Sequence, residues 1–217
     1  VNFTGTAACP RIDTTAPNDG SVLYAGNLAT VQWTRSNLTG SNQIYVYYYD
    51  NGGYVSQISG ALSPTATSAV VTLPWATTTL GQLRVGSWNP TTSTWETADL
   101  SDAYFTLAAA PDLHFNAFTS PVTYVVTGNN LQLDTIVDNG GNGTAAATTL
   151  RFYRSADNVI SGADTLLATS SIGVLAAGGT ASRQLITTNT GTVGTWYFGA
   201  CVDLVSNDPA DNNCTAV

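Results

Sequence analysis

Hydrophobic residues occupy alternate positions in short runs along most of this chain, and no other feature constrains its fold as strongly. The segments 29–33 and 44–48 are clear examples. A period of two residues places every second side chain on the same face of a β-strand. Clusters of turn-forming residues, such as 17–20 and 50–53, separate the runs at intervals typical of a β-sandwich. The pattern therefore predicts an all-β fold.

Composition supports this fold class and excludes several functions. The chain has 34 Thr, no Lys and a single Glu, Glu96, so residues that favour helices are scarce. Its formal net charge is −8 and its 6 basic residues are scattered, which leaves no basic surface for nucleic acid. With one histidine, His114, a cluster of histidine metal ligands is excluded. No apolar run of about 18 residues occurs, so we also expect no membrane insertion.

The chain of 217 residues suits two domains of about 100 residues each better than one. Residues 1–10 lack the alternating pattern, and we interpret them as an N-terminal tether. The pattern runs through 11–108, is interrupted by Ala-Ala-Pro at 109–111, and resumes in 112–217. We interpret 109–111 as a short linker. Each half has runs for about seven strands and the halves do not repeat each other, which predicts two different immunoglobulin-like β-sandwich domains in tandem.

The second half contains a series of short segments whose order and spacing are informative. These segments are 111–113, 137–141, 151–155, 164–167, 175–178, 194–203 and 211–214. Through them, residues 111–217 resemble CARDB, the cell-adhesion-related domain found in bacteria. The resemblance implies an immunoglobulin-like sandwich that serves as an adhesion or spacer module on secreted bacterial and archaeal proteins. It implies no catalytic residue, so we expect no enzymatic activity.

The first half, residues 11–108, resembles a second non-catalytic family. Segments 31–33, 73–74, 83–85 and 101–107 are similar to the immunoglobulin-like β-domain found near the N-terminus of Ser/Thr-rich cell-wall and surface proteins. Members of that family are associated with cell walls and extracellular matrices. The resemblance therefore implies an extracellular or cell-surface location.

Cysteine spacing predicts one disulfide. Cys201 and Cys214 are 13 positions apart across a turn-rich segment, and an antiparallel return of the chain would bring them together. Such a bond requires an oxidising compartment, and the alternative is a pair of buried free thiols. Cys9 is left over, either free or paired with a segment or partner outside this sequence.

A loop in the second half is a candidate calcium site. Asp157, Asn158, Ser161 and Asp164 supply oxygen atoms around Gly162, which permits a tight bend. The alternative is that these short polar side chains bond to their own backbone in Asx-turns. No other cofactor is expected.

Five aromatic residues in the first half form a candidate binding surface. Strand alternation sends Tyr45, Tyr47 and Tyr49 to the face opposite the core, and Trp88 and Trp95 flank one turn. Exposed aromatic rings bind sugars or protein partners because a rigid ring buries much apolar area at small entropic cost. The alternative is ordinary packing between neighbouring strands.

Together these features predict a non-catalytic binding, adhesion or spacer module. The chain begins without Met, and we expect it to be a segment of a larger secreted or cell-surface protein whose partners are proteins or glycans at the cell surface. Two alternatives remain open. One is a carbohydrate-binding accessory module of a secreted hydrolase, and the other is a targeting or maturation region of an exported protease.

Overall fold

The computed structural model describes residues 9–122, 124–190, 193–209 and 213–216. The chain divides into two compact units, residues 1–108 and 109–217. The described residues form sixteen β-strands, and each unit is an immunoglobulin-like β-sandwich with its own strand order, which confirms the predicted fold class. In these ranges there is no helix with the length and apolar character needed to cross a bilayer. Most of the predicted tether, residues 1–8, lies outside the described residues.

The first unit has nine described strands in two sheets. They are β1 (Arg11–Ala16), β2 (Val22–Tyr24), β3 (Leu28–Ser36), β4 (Gln43–Asp50), β5 (Gly53–Gln57), β6 (Ser68–Thr72), β7 (Thr78–Asn89), β8 (Thr94–Leu100) and β9 (Phe105–Ala108). One sheet has the order β1-β3-β6, and the other has the order β2-β9-β7-β4-β5. The long strand β7 takes two partners along one edge: residues 78–81 pair with β9, and residues 84–89 pair with β8.

Alternation along β4 determines which side chains enter the first core. Ile44, Val46 and Tyr48 are fully buried, next to Leu83 and Val85 of β7. The residues between them on β4 are only half-buried and lie on the opposite face. β4 thus contributes side chains both to the core and to the outer surface of its sheet.

A tight turn at 50–53 joins β4 to β5. Asp50 pairs with Gly53, and Asn51 and Gly52 have φ values of 49° and 74°. Two positive φ values are what a two-residue type I′ hairpin requires, and Asn-Gly is its preferred sequence. The turn returns the chain so that Tyr54 pairs with Tyr49.

The second unit has seven described strands in two sheets. They are β10 (Leu113–Thr119), β11 (Asn130–Asn139), β12 (Thr148–Ser155), β13 (Thr165–Ile172), β14 (Thr180–Thr188), β15 (Tyr197–Val202) and β16 (Cys214–Ala216). One sheet has the order β10-β11-β14, and the other has the order β13-β12-β15-β16. Their facing sides bury a core that includes Leu133, Val137, Leu150 and Phe152.

The segment predicted as a linker packs against the second unit. Ala110 and Pro111 are buried, and the backbone N–H of Ala110 donates to Asn142 Oδ1 at 2.9 Å. Glycine permits this close approach, because a Cβ on Gly141 would overlap the carbonyl oxygen of Ala110. Gly143 faces the same backbone, where a Cβ would lie 2.9 Å from the Ala110 nitrogen. Ala110 and Pro111 thus pack within this unit, and the role of 109–111 as a linker stays a prediction.

Candidate functional site

The structure brings the five predicted aromatic residues together on the outer face of one sheet in the first unit. Tyr45, Tyr47 and Tyr49 lie on the half-buried side of β4, while Trp88 of β7 pairs with Trp95 of β8. A sixth ring, Tyr54 of β5, joins them. We call this set the aromatic face: Tyr45, Tyr47, Tyr49, Tyr54, Trp88 and Trp95. Its binding role stays a prediction.

Contacts between neighbouring rings connect the aromatic face into a continuous series. The ring centroids of Trp88 and Trp95 are 5.2 Å apart, and those of Trp95 and Tyr47 are 5.6 Å apart. Tyr54 lies 6.0 Å from Tyr47 and 5.9 Å from Tyr49. These pairs meet edge-on or tilted, the arrangements that aromatic quadrupoles favour. The rings therefore hold one another in fixed orientations.

Two residues of β7 position Trp95. The six-membered ring of Trp95 lies over Gly86, where a Cβ would come within 2.8 Å of a ring carbon. The guanidinium carbon of Arg84 lies 5.3 Å from the Trp95 ring centroid, within the range of a cation–π interaction. Trp95 nevertheless keeps 40% of its surface exposed. The ring is anchored by its neighbours and still accessible to a ligand.

Sequence reasoning missed Tyr54, Arg84 and Gly86. Tyr54 is 61% exposed, and the turn signal at 50–53 could have found it, because that turn places Tyr54 beside Tyr49. Nothing in the local sequence identifies Arg84 or Gly86. Their roles depend on Trp95, which reaches them from a different strand.

Polar atoms accompany the rings. The Tyr45 hydroxyl donates to Gln43 Oε1 at 2.8 Å. Burial raises the pKa of the Tyr47 phenol above its ordinary value, and neighbouring Tyr45 adds to the increase while Arg84 opposes it. The Tyr47 phenol therefore stays protonated at physiological pH and keeps an O–H donor.

The single glutamate supports the aromatic face from the inner side of its sheet. Glu96 follows Trp95 on β8, and its carboxylate accepts from the Thr39 backbone N–H at 3.2 Å and from Asn42 Nδ2 at 2.5 Å. The Ser87 hydroxyl donates to the same carboxylate at 3.3 Å. Asn42 and Ser87 are buried. This network fixes β8 to the loop before β4, and so fixes the strand that carries Trp95.

The predicted calcium loop uses carboxylate oxygens to bind its own backbone. Asp157 Oδ1 accepts from the Val159 N–H at 2.9 Å, and Asp164 Oδ2 accepts from the Ser161 N–H at 2.7 Å. Hydrogen bonds, first from the Ser155 side chain and then from Ser161, lower the pKa of Asp164. Asn158 is exposed. The Asp157–Val159 bond is the contact of an Asx-turn, whereas Asp164 reaches back three residues along the loop.

Across the described ranges, no three His, Cys, Asp or Glu side chains are grouped closely enough to hold a metal ion. The calcium site at Asp157, Asn158, Ser161 and Asp164 stays a prediction.

Cys201 and Cys214 form the predicted disulfide. They are directly paired residues of β15 and β16, with Cα atoms 4.1 Å apart. Cys9 is an exposed free cysteine. The bond ties the short strand β16 to the sheet beside it.

Comparison with known proteins relates this chain to adhesion-related domains. The CARDB family model matches residues 110–216. No curated protein matches the chain. Among solved structures, the CARDB domain of the Pyrococcus furiosus protein PF1109, in complex with di-metal ions, is 21% identical and covers 49% of this chain and 89% of its own, with a TM-score of 0.41.

Two other similar structures extend over both units. The fibronectin(III)-like modules of Clostridium thermocellum CbhA are 12% identical and cover 95% of this chain and 92% of their own, with a TM-score of 0.30. A chimeric titin Z1Z2 is 17% identical and covers 96% of this chain and 95% of its own, with a TM-score of 0.30. The family match is confined to the second unit and agrees with the resemblance of its sequence segments. The second half of this chain is thus similar to the CARDB family.

Proposed function

We propose that this chain is a non-catalytic adhesion or spacer module of a larger secreted or cell-surface protein, and that its first unit contacts a target through the aromatic face. The observation that carries the proposal is the face itself, a connected set of rings on an outer sheet surface with Trp95 and Tyr54 accessible. The adhesion-related family of the second unit supports the same class of function.

The arrangement of the rings suits binding on physical grounds. Trp, Tyr and Arg dominate the energetic centres of interfaces. The face contains Trp and Tyr, and Arg84 lies against it at Trp95. Because each ring is already held by its neighbours, little side-chain freedom is left to lose when a ligand binds. Preorganisation of this kind favours affinity without requiring a deep pocket.

The disulfide supports a location outside the cytoplasm. Bonds such as Cys201–Cys214 persist in oxidising compartments, where proteins are secreted or displayed. The partners that we propose are therefore proteins or glycans at the cell surface.

One alternative has a specific observation in its favour. Trp95 and Tyr54 expose ring surface on either side of Tyr47, as a carbohydrate-binding accessory module would need. No contact among the described residues favours the other alternative, a targeting or maturation region of an exported protease.

Cosedimentation of the purified chain with isolated bacterial cell walls tests the proposal. We expect the wild-type chain to sediment with the walls and the double variant Tyr47→Ala/Trp95→Ala to reduce the bound fraction about tenfold, because the central rings of the face are lost. Thermal unfolding of both proteins checks that the variant is folded.

Matched controls remove exposed rings that lie outside the face. Trp75 and Tyr124 are 45% and 83% exposed, and neither belongs to the aromatic face. Trp75→Ala and Tyr124→Ala should leave wall binding unchanged. If the face variant binds as well as these controls, or if the wild-type chain does not bind, the proposal is wrong.

A further inference from the structure

The charge of the chain limits which kinds of ligand the aromatic face can bind. Arg84 is the cation in contact with the rings, and its guanidinium is already stacked against Trp95. The chain as a whole has a formal net charge of −8. An approaching polyanion would meet a repulsive field, and it would find no unoccupied cluster of cations among the residues that contact the rings. A neutral ligand meets neither obstacle.

The series of rings suits a ligand with repeating units. Trp88, Trp95, Tyr47, Tyr54 and Tyr49 follow one another with centroid separations of 5.2, 5.6, 6.0 and 5.9 Å. A single small molecule would cover one or two of these rings. A polymer of ring-shaped units, each with an apolar face of its own, would use them in succession.

Hydrogen-bonding groups beside the rings match hydroxyl groups on such a polymer. The Tyr47 phenol stays neutral, and Gln43 and Tyr45 already form an amide–hydroxyl pair at 2.8 Å. Hydroxyl and amide groups can both donate and accept, so they bind sugar hydroxyls without contributing charge. The outward positions of β4 carry one Gln and three Tyr, with no aliphatic or charged side chain.

From these three observations we propose that the aromatic face binds a neutral polysaccharide chain, whose pyranose rings stack on Trp95 and its neighbours. The inference rests on the proposed function and names the ligand of the same site. The ligand lies on the outer surface of the β5-β4-β7-β8 strands, with Trp95 at the centre and Tyr54 on the other side of Tyr47.

Gly86 provides a test that removes no aromatic ring and no charge. In Gly86→Ala the new methyl group would lie 2.8 Å from the Trp95 ring, so the ring must shift from its position. Gly60 is the matched control, because a Cβ added there would have no atom within 4 Å. A ligand that stacks on Trp95 should respond to the first substitution and not to the second.

Isothermal titration calorimetry of the full chain with cellohexaose, xylohexaose, mannohexaose and polygalacturonate measures these effects. We expect binding of at least one neutral hexasaccharide, weakened at least about tenfold by Trp95→Ala and about threefold to tenfold by Gly86→Ala. Gly60→Ala should bind like the wild type. The affinity should be insensitive to an approximately tenfold change in salt, because no charge pairing is involved.

Three results would overturn the inference. The first is tighter binding of polygalacturonate than of the neutral sugars, with loss on Arg84→Gln. The second is a dimer in sedimentation velocity that disappears in Trp95→Ala, which would make a second copy of the chain the occupant. The third is no binding of any neutral sugar although cell-wall binding still depends on the face. This last result rejects the polysaccharide and leaves the proposed function standing.

Discussion

The two units share a class of fold but place different chemistry on their outer sheet surfaces. In the first unit, β4, β5, β7 and β8 carry six connected aromatic rings. In the second, the outward side of β11 carries Asp134, whose carboxylate accepts from Gln132 Nε2 at 2.7 Å and from Gln184 Nε2 at 2.6 Å. The first surface presents apolar area, whereas at Asp134 the second presents a carboxylate bonded to two glutamine amides.

The units also differ in how they are held together. The second contains the disulfide and a buried asparagine, Asn139, whose side chain bonds to three separate segments of the chain. Several residues that carry the CARDB resemblance, including Asn139, Gly141 and Cys201, have structural roles. Residues that carry the CARDB resemblance thus contribute to the packing of the second unit, while the candidate site lies in the first.

The largest effect should come from Asn139→Leu. Asn139 Nδ2 donates to the carbonyl oxygens of Gly143 at 2.8 Å and Leu175 at 3.0 Å, and its Oδ1 accepts from the N–H groups of Asp112 and Gly141. Leucine has a similar volume but leaves these groups without their side-chain partner in the interior. We expect the second unit to lose about 4 kcal/mol of unfolding free energy, since each unsatisfied buried group costs about 1–3 kcal/mol.

Urea denaturation followed by NMR measures the loss of unfolding free energy in each unit, because the amide peaks of the two units are observed separately. Asn158→Leu is the control, since Asn158 is exposed. Because Asn139 lies in the second unit, we expect the first unit to keep the urea midpoint of the wild type. A midpoint shift of equal size in both units would contradict it.

The next effect should follow removal of the disulfide. In Cys201→Ser/Cys214→Ser, the unfolded second unit gains the freedom of a loop that spans 13 positions. For a loop of this size the loss is about 3 kcal/mol. The first unit should not respond, because its cysteine, Cys9, is not in a disulfide.

Chemical reduction of the wild-type chain should lower the urea midpoint of its second unit to that of the double variant. Reduction of the double variant should leave its midpoint unchanged. A shift in the variant on reduction would mean that the reductant acts elsewhere.

A smaller effect is expected in the first unit from Glu96→Ala. The substitution removes the acceptor of the buried Asn42 side chain and of the Thr39 backbone N–H. We expect a loss of about 2 kcal/mol, because one buried amide is left with fewer partners. Glu96→Gln keeps an acceptor oxygen and should therefore lose less unfolding free energy than Glu96→Ala. Denaturation monitored on the first unit gives both values, and equal stability of the two variants would contradict the role assigned to the network.

Much of the fold is predictable from the sequence because it depends on local rules. The alternation of Ile44, Val46 and Tyr48 places them in the core, and Asn51-Gly52 specifies the hairpin turn. The disulfide also follows from spacing, because a turn-rich segment returns the chain. None of these inferences requires knowledge of a distant segment.

The details of the candidate site are less predictable because they depend on contacts between strands. A register shift between Ser87 and Trp88 brings Trp88 opposite Trp95, and the space over Gly86 then receives the Trp95 ring. The close approach of Gly141 to Ala110 is of the same kind, since it is invisible from either segment alone. Such contacts depend on packing between distant segments, which a local sequence pattern does not specify.

The smallest predicted effect concerns acid stability of the second unit. Arg151 donates through Nε and Nη2 to both carboxylate oxygens of Asp203, each at 2.7 Å. These bonds lower the pKa of Asp203. The side chains are 37% and 42% exposed, so solvent screens the pair and its contribution is small. Burial acts in the opposite direction on Asp208 and raises its pKa.

The sign of the pH dependence follows from these shifts. Because the folded pKa of Asp203 is lowered, its stabilising contribution is complete above the unfolded pKa and is lost as pH falls through the folded pKa. Asp208 binds its proton more readily in the folded state, which partly offsets that loss. In Asp203→Asn we therefore expect a lower urea midpoint for the second unit at neutral pH and a difference from wild type that vanishes in strong acid. A difference that stays constant across this pH range would show that Asp203 acts through packing rather than through its charge.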